Sequence, residues 1–168
     1  MASNTQLRKD FTDMWNLGKD DYWKMSFGKN ETFMLSHDSL EDIYFQLCDR
    51  KDITLQYTST IVEANSEFNI GIQGHCIYKG PQWGIDGRKH IERKVTTFGE
   101  AGPGNCKLKY YWAMAEKRCM DRAILKAIDA YRLFYSNVEL DDKVNDPAKG
   151  AMDCLLYTSP SPRDRTRS

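Results

Sequence analysis

Two stretches near the start of the chain place apolar side chains at helical spacing. The first predicts an amphipathic helix over 5–17, and the second a helix over 40–50 with a capping box that begins at Ser39. The apolar positions are Leu7, Phe11 and Met14 in the first helix, and Leu40, Ile43, Tyr44 and Leu47 in the second. The aromatic-rich stretch 20–35 lies between them and has turn residues at 28–30.

Further along, the apolar pattern changes to a period of two. Alternation over 53–63 and 67–80, joined by a short polar link, predicts an antiparallel hairpin. A turn at Gly80-Pro81 or Asp86-Gly87 leads to a third predicted strand over 88–99.

The pattern returns to helical spacing after the glycine-rich segment that follows the third strand. A long helix is predicted from Tyr111 to Tyr135. Its core-facing positions are Met120, Ile124, Ala127, Ile128 and Tyr131, and its basic residues Arg118, Arg122 and Lys126 recur every four residues on another face. The predicted fold class is therefore α+β: an antiparallel three-stranded β-meander packed against a long C-terminal helix, with N-terminal helices.

The chain is expected to form one domain with a tail. Residues 1–50 form its helical N-terminal part, 51–142 its β-β-β-α core, and 143–153 a truncated polar linker. The last segment, 154–168, is rich in serine, proline and arginine. One codon choice for Cys154–Asp164 resembles a transposase-type sequencing adaptor read in frame, which predicts that the segment is not native. The alternative is a natural disordered tail.

Composition narrows the class of protein further. The N-terminus lacks an apolar signal core and no run is long enough for a transmembrane helix, which favours a cytoplasmic protein without a membrane partner. The five cysteines form no CxxC pair, and the three histidines are scattered, so no metal site or cofactor is predicted.

Charge is distributed unevenly although the whole chain is neutral. The net charge is −5 over 1–78, +6 over 79–128 and −3 over 129–153. A basic middle between acidic flanks indicates an anionic partner, whereas a solvated charged surface is the simpler explanation.

The basic middle also contains aromatic residues, and this combination is typical of single-stranded nucleic acid binding. Cations neutralise phosphates, and aromatic rings stack on unpaired bases with little sequence preference. The candidate DNA-binding residues are Arg88, Lys89, Arg93, Lys94, Lys107, Lys109, Arg118, Arg122, Lys126, Trp83, Tyr110, Tyr111 and Trp112. The glycines of "FGEAGPGN", before the long helix, either expose amides to a phosphate or form a plain connector.

Two other functions are compatible with the same residues. Asp86, Glu92 and Lys94 have the residue types of a magnesium-dependent nuclease, in which carboxylates hold the metal and a lysine lies near the attacking water. Alternatively, the basic surface contacts an acidic protein, and binding to single strands is then weak and independent of their length.

The segment "TFGEAGPGN…YYWAMAEKRCMDRAILKAIDAYRLFYSNVE" resembles phage-type single-strand DNA annealing proteins, and the β-β-β-α order is similar to the annealing core of the eukaryotic recombination mediator superfamily. The matching positions are Gly99-Glu100-Ala101, Asn105, Met114 to Arg118, Asp121-Arg122, Ile124 to Lys126, Tyr135-Ser136 and Glu139. Departures at Cys119, Tyr111-Trp112 and Asn137 leave the subfamily open.

The resemblance implies ATP-independent recombination without bond chemistry. Such proteins form rings or filaments that hold one DNA strand extended for pairing with its complement. It further implies that Arg88, Lys89, Arg93 and Lys94 line the DNA groove. The helix residues Arg118, Arg122 and Lys126 then add to that groove or form salt bridges between subunits.

Overall fold

A computed structural model describes residues 3–27, 30–65, 69–82, 89–106 and 110–139. Within these ranges there are three α-helices and two three-stranded sheets, which confirms the α+β class. The elements are α1 (Asn4–Met14), β1 (Tyr22–Phe27), β2 (Asn30–Leu35), α2 (His37–Asp49), β3 (Thr54–Asn65), β4 (Asn69–Pro81), β5 (His90–Ala101), α3 (Tyr111–Ala127) and β6 (Tyr135–Ser136), followed by a 3₁₀ turn at Asn137–Glu139.

The smaller sheet joins the two ends of the described chain. Strands β1 and β2 form an antiparallel hairpin in the stretch that the sequence marked only as aromatic-rich, and β6 pairs in parallel with β2. The predicted turn residues Gly28 and Lys29 lie outside the described residues. The first helix ends earlier than predicted, because the chain reverses at Asn16, whose φ is 51°.

The N-terminal cap of α2 is Ser36 and not Ser39, which corrects the predicted capping box. The Ser36 hydroxyl accepts a hydrogen bond from the Ser39 amide at 3.1 Å, and the Ser39 hydroxyl instead bonds to the Asp21 carboxylate at 2.9 Å. The predicted apolar face is correct, since Leu40 and Ile43 are fully buried.

The larger sheet has the order β3-β4-β5, and both pairs are antiparallel. Alternate residues of β4 are buried, so this sheet has one face toward the core and one toward solvent. On the inner face, Tyr57, Cys76 and Val95 lie side by side across the three strands.

Helix α3 packs on the inner face, mainly against β4 and β5. It runs antiparallel to β5, so its N-terminal half lies over the end of that strand and its C-terminal end over the beginning. The closest approach is at Gly99, where an added Cβ would collide with the Ala115 carbonyl oxygen and lie 2.6 Å from the Cys119 nitrogen.

The long helix ends at Ala127, eight residues before the predicted end at Tyr135. Asp129 adopts a φ of 63°, and the Ala130 amide bonds to the Leu125 carbonyl at 2.8 Å, which closes the helix in a left-handed C-terminal turn. The turn directs Phe134 into the core, where it is fully buried. Tyr131, predicted on the core face of α3, is 37% exposed as a result.

Candidate nucleic-acid interface

The structure distributes the predicted DNA-binding residues over β5, α3 and the segments beside them. Those that lie outside the described residues are Arg88, Lys107, Lys109 and Trp83, together with Asp86 of the nuclease alternative.

Arg118 is buried, and its three donor groups are all engaged by the protein. It is 3% exposed. Its Nε donates to the Val138 carbonyl at 2.6 Å, and its two terminal nitrogens donate to the carbonyls of Glu100 and Asn105, each at 2.7 Å. A guanidinium in this position ties the end of β5, the glycine-rich loop and the 3₁₀ turn to α3. We therefore assign Arg118 a structural role.

Two other arginines attach α3 to β5 while remaining partly exposed. Arg122 donates to the Phe98 carbonyl. Arg93 donates to the carbonyls of Lys126 and Ala127 at 3.1 and 3.2 Å, which lie in the last turn of the helix. Arg93 therefore caps α3 at the same time as it lines the cleft described next.

A basic cleft of about 480 Å³ lies between the start of β5 and the C-terminal end of α3. Four cations and one carboxylate line it, so its net charge favours an anion. We define the basic cleft by Arg93, Lys94, Lys126, Asp129, Tyr131 and Arg132, with Val95 and Thr96 completing the wall. Asp129 lies 3.5 Å from Arg93 and neutralises it in part.

Aromatic rings accompany these cations at the C-terminal end of α3. The Lys126 ammonium lies 5.2 Å from the centre of the Tyr131 ring, and the Tyr131 and Tyr135 ring centres are 5.7 Å apart. The predicted helix continued to Tyr135, so Tyr131, Arg132 and Tyr135 were not predicted as surface residues beside the cleft. Asp129 was the available signal, since aspartate tolerates the left-handed conformation that ends a helix.

The predicted aromatics Tyr110, Tyr111 and Trp112 lie at the opposite end of α3. Tyr110 is 66% exposed and Trp112 is 49% exposed, whereas Tyr111 packs against the buried cluster around Ala115. A helix rise of about 1.5 Å per residue places Trp112 about 21 Å along the axis from Lys126. The structure thus separates these rings from the basic cleft.

On the solvent face of the larger sheet, the cations alternate with a carboxylate. Glu92 lies 3.2 Å from the Lys79 ammonium and 3.6 Å from the Lys94 ammonium. The hydrogen bond from Lys79 and the charge of Lys94 hold the pKa of Glu92 below its ordinary value. In this arrangement Glu92 is engaged by two lysines. Lys89 is exposed and precedes β5.

A buried polar cluster contains serine, histidine and aspartate but lacks the order of a nucleophilic triad. The Asp121 carboxylate lies between the other two groups, accepting from the Ser136 hydroxyl and pairing with the His37 ring at 2.7 Å. A triad needs the imidazole in the middle, where it can take the serine proton. Burial raises the pKa of Asp121, and the hydrogen bonds from His37 and Ser136 oppose the shift. The cluster joins α2, α3 and β6.

No protein-family model and no curated protein matches the chain. Among the described residues, no three histidine, cysteine or acidic side chains are grouped as metal ligands. Nor is any helix in those ranges long and apolar enough to cross a membrane.

Proposed function

We propose that this protein binds single-stranded DNA and promotes annealing of complementary strands without ATP. The observation that carries the proposal is the basic cleft, which four basic residues line beside the exposed ring of Tyr131. Cations gain binding free energy by releasing counterions from phosphates, and a ring beside them can stack on a base of any identity. Binding of this kind leaves the other bases free for pairing.

The resemblance to annealing proteins gains support from what its matching residues do in this fold. Gly99 permits the closest contact between β5 and α3, and the Asn105 side chain accepts a hydrogen bond from the Gly102 amide at 2.9 Å. Arg118 then bonds to the Asn105 carbonyl. We propose that β3–β5 and α3 correspond to the annealing core, and that these residues maintain its shape.

We also propose that the protein assembles into rings or filaments. Its proposed location is the cytoplasm, which is that of the host cell if the gene is phage-borne. The acidic flanks of the sequence, −5 and −3, complement its basic middle, +6. Opposite charges on different parts of the chain favour contact between copies. DNA on the basic cleft would compete with any neighbouring subunit that covered it.

The first experiment follows annealing of two complementary labelled oligonucleotides by the full chain without ATP. We expect faster pairing at low salt and a loss of acceleration as salt rises. The affinity for one single strand is measured at several salt concentrations. In each of the variants Lys126→Ala and Arg132→Ala, the slope of log affinity against log salt should fall by about 0.7, the value for one lost phosphate contact to a single strand. Lys19→Ala is the control, because this exposed lysine lies outside the basic cleft.

The outcomes separate the functions considered from the sequence. No binding and no acceleration at low salt would falsify the annealing proposal. Weak binding that does not depend on oligonucleotide length would favour an acidic protein partner. Cleavage of the oligonucleotides with magnesium, lost in Glu92→Ala, would favour the nuclease.

A further inference from the structure

A second concavity, largely apolar, adjoins the basic cleft. It has a volume of about 260 Å³ and lies between α1 and the turn that follows α3. We define this apolar groove by Leu7, Phe11, Met14, Ile128 and Leu133. Met14 is 47% exposed, so part of this apolar surface faces solvent.

The apolar groove and the basic cleft share a wall. Asp129 and Arg132 line both of them, so the turn after α3 separates the two. A ligand that crosses this turn therefore meets basic residues on one side, and on the other it meets apolar side chains together with Asn4 and Asp10. Its chemistry must combine an anion with a flat or compact apolar group.

We propose that the apolar groove receives one base of the DNA strand whose phosphates occupy the basic cleft. The inference rests on the proposed function, which supplies the strand. Pockets for drug-sized ligands measure about 300–1,000 Å³, so this slightly smaller volume suits a single base. The exposed residues Asn4, Asp10 and Arg132 also line the groove and offer hydrogen-bonding groups to a base edge.

A nucleotide matches both surfaces better than an apolar residue of an acidic protein does. In a nucleotide one sugar joins the base to its phosphate, and in this fold one turn of the chain separates the groove from the cleft. Withdrawing one base from the strand would fix its register while the neighbouring bases stay exposed. This makes the groove an anchor for the strand, distinct from the phosphate contacts.

The test compares two labelled oligonucleotides of equal length and phosphate number, one of thymidylate and one fully abasic. The quantity measured is the ratio of their affinities for the full chain at low salt. Met14→Glu puts a charge in the groove wall, and Phe45→Glu is its control, because Phe45 is 45% exposed on α2 and lies outside both concavities. An added negative charge weakens both oligonucleotides alike, so only the ratio reports on the base.

We expect wild type and Phe45→Glu to bind the base-bearing strand more tightly than the abasic strand by the same ratio. In Met14→Glu this affinity ratio should be about tenfold lower, which is the effect of one stacked base. Equal ratios in the two variants overturn the base anchor but leave DNA binding intact, as would be expected if a protein segment occupied the groove. If wild type binds neither oligonucleotide, the proposed function fails as well.

A measurement on the unaltered protein guards against a variant that does not fold. The Met14 methyl resonance, assigned by its loss in Met14→Leu, should move upfield when the base-bearing strand binds, because a stacked ring shields it. The abasic strand should leave it unmoved. A Met14 resonance that responds to neither strand while binding is observed contradicts the proposal.

Discussion

The two ends of α3 contain similar residues but use them differently. At the N-terminal half, Arg118 is buried against three carbonyls, and the helix backbone contacts β5 at Gly99. At the C-terminal end, Lys126 and Arg132 line an open cleft beside Tyr131. One end is committed to holding the fold together, while the other presents its charges to solvent.

The difference comes from the neighbours of the helix and not from its own sequence. Arg118, Arg122 and Lys126 are spaced alike, yet Arg118 is buried against three carbonyls, Arg122 donates to the Phe98 carbonyl while partly exposed, and Lys126 lies beside an aromatic ring. Arg118 is held in the interior because the buried carbonyls around it need hydrogen-bond donors. Spacing of cations along a helix therefore predicts a face but not its role.

Arg118→Ala should have the largest effect and would sharpen the contrast between the two ends. Removing the guanidinium leaves the carbonyls of Val138, Glu100 and Asn105 without this donor, which should lower the free energy of unfolding by about 4 kcal/mol. Denaturant unfolding measures it, and Arg132→Ala, at the other end, should change it by less than about 0.5 kcal/mol. Similar losses in the two variants would contradict the contrast.

Gly99→Ala should come next, since it tests the backbone contact at the same end. The new Cβ meets the Ala115 carbonyl and the Cys119 backbone, which cannot move without shifting α3, so we expect a loss of about 3 kcal/mol. The matched variant is Gly104→Ala, where an added Cβ meets no atom within 4 Å. Thermal unfolding of both proteins would decide, and equal stability would show that α3 packs less tightly there.

The pH dependence of stability tests whether the buried cluster of His37, Asp121 and Ser136 helps α3 to hold the fold together. Because burial raises the pKa of Asp121, the folded state keeps this proton above pH 3.8, where the unfolded state loses it. The contribution of Asp121 to stability is therefore present below pH 3.8 and is lost as the pH rises through the folded-state pKa. We expect Asp121→Asn to gain stability relative to wild type over this window, as followed by unfolding at several pH values.

An exposed carboxyl provides the control of opposite sign. The hydrogen bond from Arg50 holds the pKa of Asp52 below its ordinary value, so its contribution is present above the ordinary pKa and is lost as the pH falls. Asp52→Asn should therefore lose stability relative to wild type with increasing pH. If the two variants followed the same trend, the assignment of Asp121 as a buried acid would be wrong.

Local patterns were sufficient to predict much of the fold. Periodicity placed β3, β4 and β5 within a few residues and began α3 at Tyr111, because alternation and helical spacing follow directly from burial on one face. The early end of α3 was missed because its cause is a single left-handed residue, Asp129. Among the candidate site residues, Arg93, Lys94 and Lys126 line one concavity, whereas the burial of Arg118 depends on a loop whose path the sequence does not specify.

The smallest expected effect is that of removing one exposed aromatic ring, and it tests at which end of α3 the strand binds. Tyr131→Leu removes the ring beside the basic cleft, so we expect single-strand affinity to fall about fivefold, near the lower limit for one stacked base, with no change in the salt slope. Trp112→Leu removes an exposed ring at the other end and should have less effect. The reverse order, measured by fluorescence anisotropy, would move the strand to the N-terminal end of α3, and Arg118 would then support the binding surface as well as the fold.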